Sequence, residues 1–296
     1  MDIDIIGASI NLGANKLGVE KGPSILIDGI NKNEIFSKHH TNVVGIVESP
    51  SFAELSEEDK MMKNKKSIFD FNTRLADKVY ESTLNGHRPL VIGGDHSLSW
   101  GSISGITRNY PDLGVIYIDA HGDFNPAELS PSHNVHGMHM AYLMGLVDSD
   151  DVNFYYPGIK LDKNNVFFLG TRSLDIGEVD LAKKKNLNIN TSEEIRTRGI
   201  KPVVEELLNK LKNTKLNKFH VSLDIDAIDP TLCPGTGVPE KNGITVEDVA
   251  YILEQLLSTG KIVSVDFVEF NHLLDEENKT LILCNNLFRV INNYWV

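Results

Sequence analysis

Two acidic clusters about a hundred residues apart, Asp119-Ala120-His121-Gly122-Asp123 and Asp224-Ile225-Asp226, carry the residue types of a metal centre. In an extended chain alternate side chains share a face, so Asp119, His121 and Asp123 can converge on one point, as can Asp224 and Asp226. Carboxylates placed so closely repel one another unless cations sit between them. With His96 and His121 as neutral donors, the four aspartates supply a formal charge of −4, which two divalent cations balance. Oxygen-rich sites with some imidazole suit Mn²⁺, while Zn²⁺, Fe²⁺ and Co²⁺ fit the same donors, because affinity order alone does not select manganese. A pair of such ions roughly 3.5 Å apart can bridge one water and lower its pKa toward neutrality. That is a hydrolytic nucleophile made without serine or cysteine.

The clusters need elements that aim them. Each ends an apolar run, Val115 to Ile118 and Val221 to Leu223, of the kind that forms strands buried inside a sheet. Similar runs recur at Ile3 to Ile6, Asn42 to Ile46, Pro89 to Ile92, Val166 to Leu169 and Ile262 to Val268, alternating with helical patterns. This alternation predicts an α/β fold: three αβα layers with a central, mostly parallel sheet, in a single domain over residues 1–296. Thr245 with Asp248 opens one helix as a capping box; Val249, Ile252, Leu253, Leu256 and Leu257 follow at helical spacing, and Gly260 sits at its end. Val204, Leu207, Leu208 and Leu211 make a second such face. Ser56 to Gly86 reads as a long, interrupted amphipathic helix behind an acidic segment from Glu48 to Asp59.

Ligands of parallel sheets bind beyond the carboxyl ends of the strands. Four loops qualify here, beginning at Gly93-Gly94-Asp95-His96-Ser97, at Asp119, at Asp224 and at Glu269-Phe270-Asn271-His272. Taken alone, the first is a tight turn in which Asp95 or Ser97 caps a helix and His96 is incidental. Asp229-Pro230 is well explained as a turn before proline. Neither account covers Asp119, Asp123, Asp224 and Asp226, and an acidic or imidazole group at all four exits is the stronger observation.

Composition narrows the partners. With 29 Lys+Arg against 41 Asp+Glu the net charge is −12, which disfavours nucleic acid or an anionic membrane and is compatible with a cationic substrate. No apolar run is long enough to span a bilayer and the first residues lack the basic start of a signal peptide, so a cytoplasmic location is expected. The two cysteines, Cys233 and Cys284, form no CxxC pair, as suits a reducing compartment. There is no phosphate-binding GxxxxGK[ST] loop, no GxGxxG, and Gly101-Ser102-Ile103-Ser104-Gly105 has Ile103 where a nucleophile elbow needs serine. Lys183-Lys184-Lys185 reads as a solvated helix surface, and His39-His40 is too isolated for a ligand pair.

At these residues the chain resembles the arginases of the ureohydrolase family, from Gly18 and Gly22-Pro23 near the start to Asp266-Phe267-Val268-Glu269-Phe270-Asn271 near the end. The resemblance implies two Mn²⁺ ions per subunit, with His96, Asp119, Asp123 and Asp224 binding one or bridging the pair, and His121 and Asp226 serving mainly the other. A bridging hydroxide would attack the guanidinium carbon. It implies further that Glu269 is the guanidinium-binding carboxylate and that His136 shuttles protons, a role that suits imidazole. Asn125, Ser130, Ser132 and Asn134 match the loop that holds an α-carboxylate, and Asp175 and Glu178 match the segment near the α-amino group. The implied reaction is hydrolysis of L-arginine to L-ornithine and urea by a homo-oligomer, a trimer or hexamer.

Departures from the family pattern bear on substrate. His133 stands where glycine is usual, His139 where proline is usual, Ser173 for an acidic residue, His272 for proline and Val238 for a threonine near the guanidinium pocket. They leave open another ureohydrolase acting on agmatine or a guanidino acid, and a metal-stabilised binding module without activity. A zinc-dependent deacetylase of the same fold would hold one metal where the paired aspartates argue for two. His133, His136 and His139 recur every third residue, as incidental imidazoles of a loop or as an accessory metal contact.

Overall fold

Short apolar runs hide both of their faces only inside a sheet covered on both sides. In the computed structural model, which describes residues 2–14, 16–51 and 59–296, they form β1 (Asp2–Ser9), β2 (His40–Glu48), β3 (Arg88–Gly93), β4 (Gly114–Ile118), β5 (Val166–Thr171), β6 (Asn188–Thr191), β7 (Phe219–Asp224) and β8 (Ile262–Val268). The strand order is β2-β1-β3-β8-β7-β4-β5-β6. Every pairing between these strands is parallel, so the sheet is wholly rather than mostly parallel. The helices are α1 (Gly22–Lys32), α2 (Lys65–Leu84), α3 (Ser99–Asn109), α4 (His139–Leu143), α5 (Ile176–Lys185), α6 (Ser192–Arg198), α7 (Ile200–Asn213), α8 (Val246–Leu257) and α9 (Lys279–Tyr294).

Period-two alternation sorts each strand between two cores. On β4, Ile116 and Ile118 join Leu26, Leu207, Leu253 and Leu287 of α1, α7, α8 and α9. Val115 and Tyr117 face the other way, toward Phe71, Ile103 and Tyr142 of α2, α3 and α4. The three αβα layers expected from the sequence are these two helical layers and the sheet between them.

Helix boundaries follow local chemistry. Thr245 Oγ1 accepts from the Asp248 N–H at 3.1 Å, and Asp248 Oδ2 accepts from the Thr245 N–H at 3.0 Å, so the predicted capping box opens α8. Gly260, in the left-handed region at φ 67, reverses the chain into β8. The amphipathic helix predicted from Ser56 starts only at Lys65. Asn64 ahead of it is left-handed (φ 59), and its side-chain amide donates to the Leu12 carbonyl at 2.9 Å, which turns the chain instead of extending the helix. Ser56 itself, with residues 52–58 of the acidic segment, lies outside the described residues. Strand β6, Asn188-Ile189-Asn190-Thr191, was not expected; it is a short polar edge with no apolar run to betray it.

The four loops singled out by sequence leave four neighbouring strands, β3, β8, β7 and β4. Their ends are level: Ile92 pairs with Phe267, Phe267 with Leu223, and Leu223 with Ile118. Register alone therefore brings the loops at His96, Glu269, Asp224 and Asp119 to one place.

Candidate active site

After β3 the chain turns sharply against β1, with the Gly94 N–H on the Ala8 carbonyl (2.8 Å) and the Asp95 N–H on the Ile10 carbonyl (2.9 Å). A Cβ at Gly94 would run into the carbonyl oxygen of Ile10, so only glycine fits this close approach. Asp95 accepts from the N–H groups of Ser97 (3.0 Å) and Gly13 (2.8 Å), which is the capping role expected of it. The turn so fixed sends His96 inward, where it is 1% exposed. Asp123 (φ 53) and Glu269 (φ 69) are non-glycine residues held in the left-handed region, strain of a kind that clusters at functional sites.

His96 Nδ1 lies 2.9 Å from Asp119 Oδ2, 3.3 Å from Asp123 Oδ2 and 3.3 Å from Asp224 Oδ2. His121 Nδ1 lies 3.0 Å from Asp226 Oδ2 and 3.4 Å from Asp119 Oδ1. Asp119 thus belongs to both groups. Main-chain N–H groups fix the remaining carboxylate oxygens: His121 donates to Asp119 Oδ1 (2.6 Å), Ala120 to Asp226 Oδ1 (3.1 Å) and Asp226 to Asp224 Oδ1 (2.8 Å). On the far side of the His96 ring, Nε2 pairs with Ser222 Oγ at 2.8 Å, the outer contact that orients a ligating imidazole.

This density of negative charge shifts the protons of several groups in the site. Burial opposes a charged His96, yet hydrogen bonds to Asp119, Asp123 and Asp224 push its pKa well above the imidazole range. For His121 burial is again outweighed, by the charge of Asp226 and hydrogen bonds to Asp119 and Asp226, and the ring is raised too. Asp224, buried beside Asp226 and Asp119, is pushed well above the usual carboxylate range. Asp226 is held below it, with the His121 charge overcoming its burial.

The donors fit a pair of divalent cations. Ligand atoms of His96, Asp119 and Asp224 lie within 4.8 Å of one another, as do those of Asp119, His121 and Asp226 and those of His96, Asp123 and His139. Asp119 Oδ2 is buried, and its neighbour His96 Nδ1, 2.9 Å away, is shared with Asp123 and Asp224, so the oxygen lacks a well-aligned donor of its own. Fully buried carboxylates without such donors are costly unless a metal or a fixed charge compensates them.

Beside the cluster opens a cleft lined by His121, Asp123, Asn125, Ser130, Ser132, His136, Gly137, Ser173, Asp175, Glu178 and Val238. His136 Nδ1 stands 3.9 Å from Glu269 Oε1. The Asn125 amide donates to Asp175 Oδ2 at 2.8 Å, tying the two predicted substrate segments together. Glu178 belongs to the wall: its carboxylate accepts from the Phe124 N–H (3.1 Å) and the Asp175 N–H (2.9 Å), and burial pushes it up to about 8. Asn134 does not line the cleft; its Oδ1 accepts from Lys63 Nζ at 3.4 Å.

The departures find separate settings. Val238 is in the cleft wall, and Ser173 donates to Glu240 Oε1 at 3.2 Å. His272 Nδ1 pairs with the Gly18 carbonyl at 3.1 Å. His133 adopts φ 56, a conformation that glycine would hold without strain. The three histidines spaced by three do not form one group. His139 alone joins the cluster, buried, with its pKa lowered by burial to about 4. Sequence reasoning missed Tyr117 and Ser222, whose hydroxyls reach the site. Period two could have found both, since each stands two residues before a cluster aspartate.

A parallel αβα sheet with two overlapping carboxylate–imidazole groups at its carboxyl edge is the frame of a dinuclear metallohydrolase. The arginase family model matches residues 1–291. The arginase of Bacillus subtilis strain 168 is 38% identical over 278 residues, covering 94% of this chain and 93% of that protein. The Bacillus caldovelox arginase is 37% identical over 284 residues, covering 94% and 93%. The solved structure of the latter superimposes with a TM-score of 0.92 at 34% identity, over 99% of this chain and 97% of that one. The chain belongs to the arginase family, and with it to the hydrolases that use a dinuclear metal site.

Proposed function

We propose that this protein hydrolyses L-arginine to L-ornithine and urea with two Mn²⁺ ions bound. The observation that carries the proposal is the juxtaposition of three chemistries: the carboxylate–imidazole cluster, the buried Glu269 within 3.9 Å of His136 in the cleft wall, and a polar cleft mouth of Asn125, Ser130, Ser132 and Asp175. His96, Asp119, Asp123 and Asp224 would hold or bridge one ion, with His121 and Asp226 mainly on the other. Bound there, the ions supply activation of water at neutral pH.

The chain's own residues do the rest. Glu269, with Oε1 held by the His96 N–H at 2.9 Å and Oε2 buried without a partner, presents one carboxylate oxygen to a guanidinium group. His136, facing the cleft, moves a proton to the leaving amine. Asn125, Ser130, Ser132 and Asn134 read the α-carboxylate, and Asp175 and Glu178 the α-amino end. Asn134 would have to turn from Lys63 to take part. Guanidinium recognition at Glu269 fits the acidic balance of the chain, −12 overall.

The working unit in this proposal is one catalytic domain over residues 1–296, cytoplasmic and assembled as a homo-oligomer, a trimer or hexamer as is common among arginases. Among the described residues no helix is long and apolar enough to cross a membrane. Sedimentation of the metal-loaded protein tests the assembly. Val238 favours a second reading, hydrolysis of agmatine or a guanidino acid, because it adds no hydroxyl to the cleft beside Glu269. Urea release from L-arginine against those alternatives tests the function.

A further inference from the structure

Tyr117 and His139 lie just behind the metal cluster, and no role has yet been given to either. Tyr117 is on the same face of β4 as Asp119. Its ring is fully buried and stacks on the His96 imidazole, with centroids 4.8 Å apart and planes 4° from parallel. The hydroxyl oxygen is 2.6 Å from Asp123 Oδ2, 3.0 Å from His96 Nδ1 and 3.0 Å from His139 Nε2. His139 is anchored in turn, with Nδ1 2.9 Å from the His136 carbonyl oxygen. A carbonyl only accepts, so Nδ1 carries the proton and the neutral ring offers Nε2 as a lone pair. One phenol proton therefore has two acceptors within reach, a carboxylate oxygen and an imidazole nitrogen.

We propose that Tyr117 and His139 are a positioning pair for the metal centre, acting through Asp123 and His96. The stacked phenol fixes the plane of the His96 ring and holds Asp123 Oδ2 toward the cluster. With Asp123 engaged by a divalent cation, the Tyr117 hydroxyl can donate its hydrogen bond to His139 Nε2 instead, so the hydroxyl is never left unpaired in a dry interior. Such outer contacts commonly set metal affinity by about 10–100-fold. The inference rests on the metal-centre reading above and deepens it, since it assigns two side chains to the orientation of one of the two ions.

The test is a titration of chelator-stripped protein with Mn²⁺ against a competing chelating dye, resolving the two equivalents. Tyr117→Phe keeps the stacked ring and removes the hydroxyl; one equivalent should weaken about 10–100-fold while the other holds its wild-type affinity. His139→Phe should weaken the same equivalent, and His139→Gln, whose amide oxygen can accept, should recover part of the loss. The double variant Tyr117→Phe/His139→Phe should be no weaker than the weaker single, because the two lie on one hydrogen-bonded path. Near-UV circular dichroism of the stripped proteins reports packing, and if His139→Phe does not fold, Tyr117→Phe and His139→Gln decide. Wild-type affinity for both equivalents in Tyr117→Phe, or single losses that multiply in the double variant, would overturn the pair alone. A wild-type protein that takes up no Mn²⁺ would overturn the metal-centre reading and the pair with it.

Discussion

The main-chain N–H of His96 donates to Oε1 of Glu269 at 2.9 Å, joining the turn after β3 to the exit of β8. The bond makes one unit of a candidate metal ligand and a candidate substrate carboxylate. It also fixes Glu269 so that the second oxygen, Oε2, is buried with no partner of its own. Burial and the charge of Asp95 push the Glu269 carboxyl well above its usual range. A cationic ligand would reverse that cost, which is the electrostatic case for a guanidinium at this place.

Glu269→Gln should therefore spare metal binding and abolish substrate recognition. The amide oxygen can still accept from the His96 N–H, while the NH₂ turned to the cleft opposes a guanidinium donor. Removing one partner of a buried ion pair costs about 3–5 kcal/mol, so kcat/KM should fall by roughly 100-fold or more. Steady-state kinetics with metal analysis on the same sample checks this; unchanged turnover removes Glu269 from the mechanism.

Asp226→Ala and His136→Ala should separate two ways of losing activity. Asp226 accepts from Ala120 and pairs with His121 at 3.0 Å, so its loss should empty one metal position and end turnover together. His136 faces the cleft without contact to the aspartates, and His136→Ala should keep both metals while the rate drops about 10²–10⁴-fold, the usual share of a proton-transfer group. Elemental analysis of the purified variants decides, and a His136→Ala protein empty of metal would refute the role given to it.

Metal uptake should release protons and strengthen with pH. His96 and His121 have raised pKa values and Asp224 carries a raised carboxyl, so near neutrality the metal-free cluster binds protons that cations must displace. Raising the pH lowers the proton activity against which the cations compete, and affinity should rise with it. Folding without metal runs the opposite way: stability from the raised histidines is full below their ordinary pKa of about 6.5 and is lost as pH climbs through the higher folded values. Calorimetry in buffers of different ionisation enthalpy measures the protons released; zero release contradicts the charge state assigned here.

Much of this site was legible because β-strand geometry is simple. Asp119, His121 and Asp123, with Asp224 and Asp226, needed only period two and the position of strand ends. What stayed hidden depended on partners distant in sequence. His96 looked incidental when its turn was taken alone, because the Gly94 turn that aims it depends on β1. The two main-chain N–H groups that hold the Glu178 carboxylate come from residues that no periodicity connects to it. His139 looked like a loop imidazole, and only the packing of α4 against β4 placed it on Tyr117. Strand β6 was hidden because an edge strand needs no apolar pattern.

Gly94→Ala tests how tightly the fold and site are linked. The added methyl must displace the Ile10 backbone, an overpacking that costs about 1–3 kcal/mol or more. The urea midpoint of the metal-free protein should fall with an unchanged slope, and metal affinity should fall with it because His96 leaves the same turn. A variant as stable as wild type would show that the close approach of β1 and β3 is not needed.

Urea release from L-arginine, agmatine and guanidinobutyrate by the Mn²⁺-loaded protein tests the central claim most directly. The polar mouth at Asn125, Ser130, Ser132 and Asp175 predicts the highest kcat/KM for L-arginine, the substrate that carries both an α-carboxylate and an α-amino group. A higher kcat/KM for agmatine or guanidinobutyrate, or no urea from any of the three, would contradict it.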